Sequence, residues 1–307
     1  MGGGGGGFFT GGSRPEDLLR RRREAEEGTR DAAFEAVVGD FLGALLAEFN
    51  GRDVERTRQF FAQMERDLGE EIEGTIQTLF GGSVAKRTYV DGISDVDALV
   101  LLNDSNLADK GPDGAKRLLA AALRSRYGRD AVRVGEVAVT VTVGGEEIQL
   151  LPALRDGGGF RITNSAGTGW SRIRPQRFAS ALTKANQRLS DKLVPCIKLA
   201  KAIVSTLPES HRISGYHLES LAVRVFRTYG GMMTPKAMLV HFFEEASAGV
   251  ARPIRDSSGQ SVHVDDGLGP EGSLKRRVVG DAFSRVARRM RNADGARSLF
   301  RWKDLFE

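Results

Sequence analysis

The feature that most narrows the fold is a pair of aspartates at the mouth of an apolar run. Asp95 and Asp97 flank Val96, and Ala98 to Leu102 then continues without a polar residue. Side chains alternate across a strand, so Asp95 and Asp97 share one face while Val96 points into the core. Two carboxylates held that close repel unless a cation sits between them, and oxygen pairs of this kind suit Mg²⁺. Ser83 stands twelve residues before Asp95, preceded by Gly81 and Gly82 and by an apolar segment that Phe80 closes. Paired glycines let backbone pack tightly, and a turn with free N–H groups can cradle a phosphate. Together the turn and the acid pair describe a site for a metal-bound nucleoside triphosphate.

Either half alone says little. A Gly-Gly-Ser turn is a common loop, and an Asp-x-Asp at a strand edge is usually a solvated face. Order, spacing and the apolar strand that follows make the combination specific.

With 307 residues the chain can build two lobes and a substantial core. No apolar run approaches the roughly 20 residues that span a bilayer. The N-terminus lacks the apolar stretch of a signal peptide, so a cytoplasmic location without a membrane partner is expected. The one cysteine, Cys196, lies in the apolar context Leu193-Val194-Pro195-Cys196-Ile197 and reads as a buried, inert thiol. Four scattered histidines show no zinc-ligand spacing. A formal charge of +5 favours anionic ligands such as nucleotides and argues only weakly for nucleic acid. Between Lys275 and Lys303 ten Lys or Arg face only Asp281 and Asp294. A solvated C-terminal surface is the preferred reading of that segment, a polyanion-facing one the alternative.

In chain order, residues 1–13 are glycine-rich and expected to be disordered. The run Arg20 to Arg23 reads as a solvated helix face. From Asp31 to Phe49, Phe34, Val37, Val38, Phe41, Leu42, Leu45 and Leu46 recur at three and four residues, which predicts an amphipathic helix. A second helix is expected from Asp53, its N-cap, through Phe60, Phe61, Met64 and Leu68. After the Asp95 strand come a loop at Asp109 to Pro112 and a helix over Ala115 to Tyr127. Val137, Val139, Val141 and Val143 alternate as a strand, Gly144-Gly145 turns it, and Glu146 to Ala153 returns. That hairpin sets its second strand beside the aspartates.

Asp156 to Arg174 reads as a long Gly-, Ser- and Arg-rich loop, with Trp170 as its anchor or a base-stacking ring. The remainder is helical. Ser190-Asp191 is expected to cap a helix over Leu193 to Leu207, with Pro195 in its first turn. Lys198 and Lys201 stand three residues apart there, on one face. Ser214 opens a helix that runs to Tyr229, and helices follow over Pro235 to Ala246 and Leu274 to Met290. His263 and Asp265, in the connector between those two, read as structural docking.

Phe80-Gly81-Gly82-Ser83 and Asp95-Val96-Asp97-Ala98 resemble the hG[GS] and [DE]h[DE]h elements of polymerase-β-like nucleotidyltransferases. With the hairpin and the helical segments carrying Ile197-Lys198-Leu199-Ala200-Lys201 and Ser214-Gly215-Tyr216-His217-Leu218-Glu219, the chain looks like the cGAS/DncV-like nucleotidyltransferases (CD-NTases), relatives of oligoadenylate synthetase. The resemblance covers about Asp53 to Phe243. It implies an α+β fold: a nucleotidyltransferase core with a mixed sheet and N-terminal helices over 14–175, a helical lobe over 176–307, and the active site in the cleft between. It also implies synthesis of a cyclic or linear oligonucleotide second messenger by two-metal phosphoryl transfer, in bacterial anti-phage (CBASS-like) signalling. Carried over by position, Gly82 and Ser83 grip the triphosphate, and Asp95 and Asp97 hold Mg²⁺, with Mn²⁺ as the alternative. Lys201 and Lys198 face phosphates, and Ser214 and Tyr216 contact phosphate or base, although Gly215 occupies the usual serine position.

The returning strand departs from the family pattern. Relatives read hDhhPA, and the position three before Pro152 is Gln149. Glutamine cannot carry the charge that helps offset two divalent ions. Glu147, two residues earlier on the same strand face, is the candidate third acid, with Gln149 left to the nucleotide. An ordinary hairpin carboxylate is the other reading of Glu147. The expected substrates are nucleoside triphosphates, ATP or GTP or both, with pyrimidine nucleotides open. A regulatory protein or nucleic-acid ligand is a further candidate partner, while the downstream effector binds the product rather than this chain. Two other functions stay open: nucleotidyl transfer to a tRNA or protein acceptor, and a weak or inactive nucleotide-binding module, which Gln149 keeps in view.

Overall fold

The computed structural model describes residues 15–50, 54–72, 76–80, 88, 96–102, 107–143, 146–164, 167–256 and 263–307. Residues 1–13, Asp53, the Gly81-Gly82-Ser83 turn, Asp95 and the Gly144-Gly145 turn lie outside these, as does the side chain of Asp97.

Among the described residues seven strands form one mixed sheet. These are β1 (Ile76–Phe80), β2 (Val96–Leu102), β3 (Val132–Val134), β4 (Val139–Val143), β5 (Glu146–Asp156), β6 (Gly159–Thr163) and β7 (Trp170–Ile173), in the order β1-β2-β5-β4-β3, with β6 on β5 and β7 on β6. β5 is the longest. One edge pairs parallel with β2, and the other pairs antiparallel first with β4 and then with β6. The apolar run of β2 is explained by burial on both faces, as for strands in covered parallel pairs. Ala98, Val100 and Leu102 pack with Ile148 and Leu150 beneath α2 (Val54–Glu71) and α3 (Leu107–Tyr127), where Phe61, Met64, Leu119 and Leu123 complete a first core. Leu99 and Leu101 face the other way, into a second cluster with Ala153, Phe160, Ile162 and Ile173.

The helical half contains α4 (Pro175–Arg188), α5 (Leu193–Thr206), α6 (Gly215–Val225), α7 (Pro235–Gly249), α8 (Leu274–Gly295) and α9 (Leu299–Lys303). Their apolar faces share a third core built on Ile197, Leu221, Phe242, Phe243, Phe283 and Trp302. α1 (Pro15–Phe49) contributes Val38 and Leu42 to this core. Lys236 on α7 fastens it further, pairing with Glu35 of α1 and with Asp294 of α8 at 3.0 Å.

Three sequence expectations need correction. Asp156 to Arg174 is no loop: β6 and β7 cross it, joined to β5 through Gly157 at φ 55°. Phe160, Ile162 and Ile173 supply the buried alternation that the Gly and Arg content masks, and Trp170 packs onto the first core as an anchor. The helix expected from Ala115 starts at Leu107 and breaks at Gly111 (φ 69°) just before Pro112. Ser190 and Asp191 do not cap α5. Both take positive φ, and the Asn186 side chain accepts the Val194 N–H at 2.9 Å instead. Two local readings stand: the Ser214 N-cap accepts the His217 N–H at 3.2 Å, and Cys196 is buried, with its thiol pKa pushed up by burial. No helix among the described residues is long and apolar enough to cross a membrane.

Candidate active site

Strand register builds the acid end of the site. In the parallel β2–β5 ladder, position 97 is in register with Gln149 and Val96 with Ile148. Gln149 therefore occupies the strand position beside Asp97 where a third acid is expected, and it is half-buried. Glu147 lies two residues earlier with the same strand parity, opposite Thr142. Its carboxylate is half exposed and reaches Arg133 of β3 at 3.5 Å, a loose surface ion pair. Among the described residues no group of three His, Cys, Asp or Glu could hold a metal. Gln149 and Glu147 bring oxygen donors to this part of the sheet, the donor type that a hard divalent cation takes.

The helical half supplies the cations. Lys201 is buried in the middle of α5, its side chain 6% exposed. Its ammonium donates to Glu219 Oε1 at 2.8 Å and to the Thr88 carbonyl at 2.9 Å. The Thr88 hydroxyl donates to the same Glu219 oxygen at 2.5 Å. Lys198, one turn back, donates to Asn50 Oδ1 at 2.5 Å. Burial, and then the Lys201 charge beside it, lower the Lys198 pKa.

Ser214 and Tyr216 sit in the first turn of α6, over Lys201. A Cβ placed at Gly215 would lie 3.4 Å from the Lys201 ammonium. Tyr216 turns away: its hydroxyl donates to Asp256 Oδ1 at 2.6 Å, and its ring meets Phe178 edge-on at 4.9 Å. Lys198, Lys201 and the start of α6 thus lie together in the helical half, and position 97, Glu147 and Gln149 lie together on the sheet. Gly82, Ser83 and Asp95 fall outside the described residues.

Sequence reasoning missed Thr88, Glu219 and Asp256. Glu219 had a visible signal, an acid inside an otherwise apolar helix segment eighteen residues after Lys201. Thr88 had none.

Neither a protein-family model nor a curated protein sequence matches the chain. Solved structures do. CdnC of E. coli MS115-1 with ATP superposes with a TM-score of 0.66 over 91% of this chain and 96% of its own, at 15% identity. The DncV cyclic AMP-GMP synthase of Vibrio cholerae, in complex with the linear intermediate 5′ pppA(3′,5′)pG, gives 0.63 over 96% and 89%, at 10% identity. The Bradyrhizobium diazoefficiens CD-NTase CdnG, in complex with GTP, gives 0.63 over 89% and 95%, at 15% identity. The fold is the polymerase-β-like fold of the CD-NTase structures, across nearly the whole chain.

Proposed function

We propose that the protein is a nucleotidyltransferase that joins nucleoside triphosphates into a cyclic oligonucleotide, in the manner of the CD-NTases whose fold it shares. The observation that carries the reading is the parallel β2–β5 pairing, which sets Asp97 in register with Gln149 on a fold that CdnC, DncV and CdnG share over about nine-tenths of the chain. Asp95 and Asp97, with Glu147 as third acid, would hold the divalent ions. Gly82 and Ser83 would carry the triphosphate. Mg²⁺, when bound, would lower the pKa of the attacking 3′ hydroxyl and offset charge on the pyrophosphate leaving group. The protein's share is positioning and positive charge, with Lys198 as the helical-lobe candidate for a phosphate contact. The division into a core over 14–175 and a lobe over 176–307, and a role in anti-phage signalling through an effector that binds the product, belong to the same reading.

Gln149 supports a second reading, a nucleotide-binding module with weak or no turnover, because the amide brings no charge to the site. The two separate in one assay. Pyrophosphate release is followed with each ribonucleoside triphosphate alone and in pairs, with Mg²⁺ or Mn²⁺ and no macromolecular acceptor. Release without acceptor supports the synthase. Release only when tRNA or protein is added supports the acceptor transferase, and nucleotide binding without release under either metal supports the module.

A further inference from the structure

We propose that Lys201 and Glu219 form a clamp that fixes the chain between the glycine turn and the acid pair to the helical lobe. Lys201 then acts as a positioning residue for that segment. The catalytic consequence rests on the nucleotidyltransferase reading; the clamp itself does not.

The segment from Gly81 to Asp97 carries at its two ends the groups proposed to hold triphosphate and metal, and Thr88 lies between them. Thr88 is fully buried, and two of its polar atoms turn to the helical lobe. Its carbonyl accepts from Lys201, and its hydroxyl donates to Glu219. Since Lys201 also donates to Glu219, the three groups close a ring across 113 and 131 residues of chain. The Glu219 side chain is 1% exposed. A buried ion pair offsets its desolvation only when its remaining hydrogen-bond partners are in place, and hydrogen bonds to charged groups are the strong ones. Movement of Thr88 away from the lobe would leave a buried carboxylate and a buried ammonium each short of a partner. One position of Thr88 is therefore favoured over its neighbours.

The geometry also bears on the alternative of a lysine held ready for phosphate. Two of the three ammonium donors are committed to Glu219 and the Thr88 carbonyl, and the first turn of α6 approaches the ammonium at Gly215. Glu219 and Thr88 together make Lys201 a strut.

Hydrogen–deuterium exchange of the nucleotide-free full chain tests this on peptides covering 84–94, in the parent and in Thr88→Val, Thr88→Ser, Glu219→Gln and Lys201→Met. Thr88→Val is nearly isosteric and keeps the test open should a charge variant fail to fold. Exchange over 84–94 should quicken by about tenfold in Thr88→Val, Glu219→Gln and Lys201→Met, as loss of a charged hydrogen bond implies. Thr88→Ser, which keeps the hydroxyl, should stay protected, and α8 should be unchanged throughout. In product formation, kcat should fall by about 10- to 100-fold while KM for nucleotide moves less than about threefold, the pattern of misplaced groups. Unchanged exchange over 84–94 in folded variants overturns the clamp. Faster exchange with kcat kept and KM raised overturns the positioning role and makes Lys201 a phosphate ligand. A parent that makes no product counts against the nucleotidyltransferase reading, and the exchange arm still decides the clamp.

Discussion

Two of the buried ion pairs among the described residues match in burial and differ in what they join. Arg276 of α8 is 1% exposed and donates to Asp265 Oδ2 at 2.6 Å, to the Val250 carbonyl at 2.9 Å and to the Gly269 carbonyl at 2.8 Å. Each partner lies within 26 residues of it, in the same helical lobe. Its fork of donors collects loose carbonyls from the connector between α7 and α8, and Asp265 supplies the countercharge. Lys201 and Glu219 spend the same kind of bonds on Thr88, 113 residues away, in the segment that links the glycine turn to the acids. Burial of charge alone does not mark a functional group. On the clamp proposal, the segment at the far end of the bond sets whether loss of the pair costs stability or chemistry.

The sharpest way to break this contrast is to cut each pair. Arg276→Met should lower the unfolding free energy by about 3–5 kcal/mol in urea titration, because it strands a buried carboxylate. The fraction that stays folded should keep its turnover. If Arg276→Met instead lowers turnover with little loss of stability, the division of roles between the two pairs is wrong.

The next effect sharpens the Arg276 side. His217 is buried with its Nε2 lacking a hydrogen-bond partner, 3.6 Å from Asp265 Oδ2. Burial pulls its pKa down to about 4; the Asp265 charge opposes that and the Arg276 charge reinforces it. The unfolded chain takes up this proton below about pH 6.5, so stability is complete above that value and falls as pH drops toward 4. Between pH 7 and pH 5 the loss from this group should be on the order of 2 kcal/mol. His217→Leu should flatten the dependence in that window, and an unchanged pH profile would contradict the assignment.

Smaller still is the loss expected beside the sheet, between α2 and α3. Tyr127 donates to the buried Asp67 at 3.1 Å, and burial, then this bond, raise the tyrosine pKa to about 12. Asp67 also holds Gln63 at 2.8 Å and Arg126 at 3.0 Å, so Tyr127→Phe removes one donor of three and should cost about 1 kcal/mol in urea titration. A loss above 3 kcal/mol would mean that this network, too, behaves as a unit.

What was legible in the sequence follows from how locally each feature is encoded. The valine strand β4, which starts at Val139 rather than Val137, the buried β2 and the Ser214 cap each rest on residues a few places apart, and each is present. β6 and β7 escaped because Gly159, Arg161 and Arg172 break the apolar pattern, while the partners that make them strands lie on β5. The α5 cap escaped because Asn186 reaches it from eight residues back, over a turn with two positive φ angles. The basic segment from Lys275 to Lys303 divides. Lys275, Arg277, Arg285, Arg288 and Arg289 are exposed as expected, but Arg276 is part of the core, and charge counting cannot tell them apart. At the site, the β2–β5 pairing and the lysine pair of α5 were readable from motif and spacing. The Thr88–Glu219 bond was not, because nothing local to Thr88 distinguishes it from any other loop threonine.

The most direct test of the account is mass spectrometry of products after the parent and the Asp95→Asn, Asp97→Asn double variant are incubated with all four ribonucleoside triphosphates and Mg²⁺. The account predicts an oligonucleotide product from the parent, none when the metal is chelated, and none from the double variant although it stays folded. Equal product from parent and double variant would contradict it.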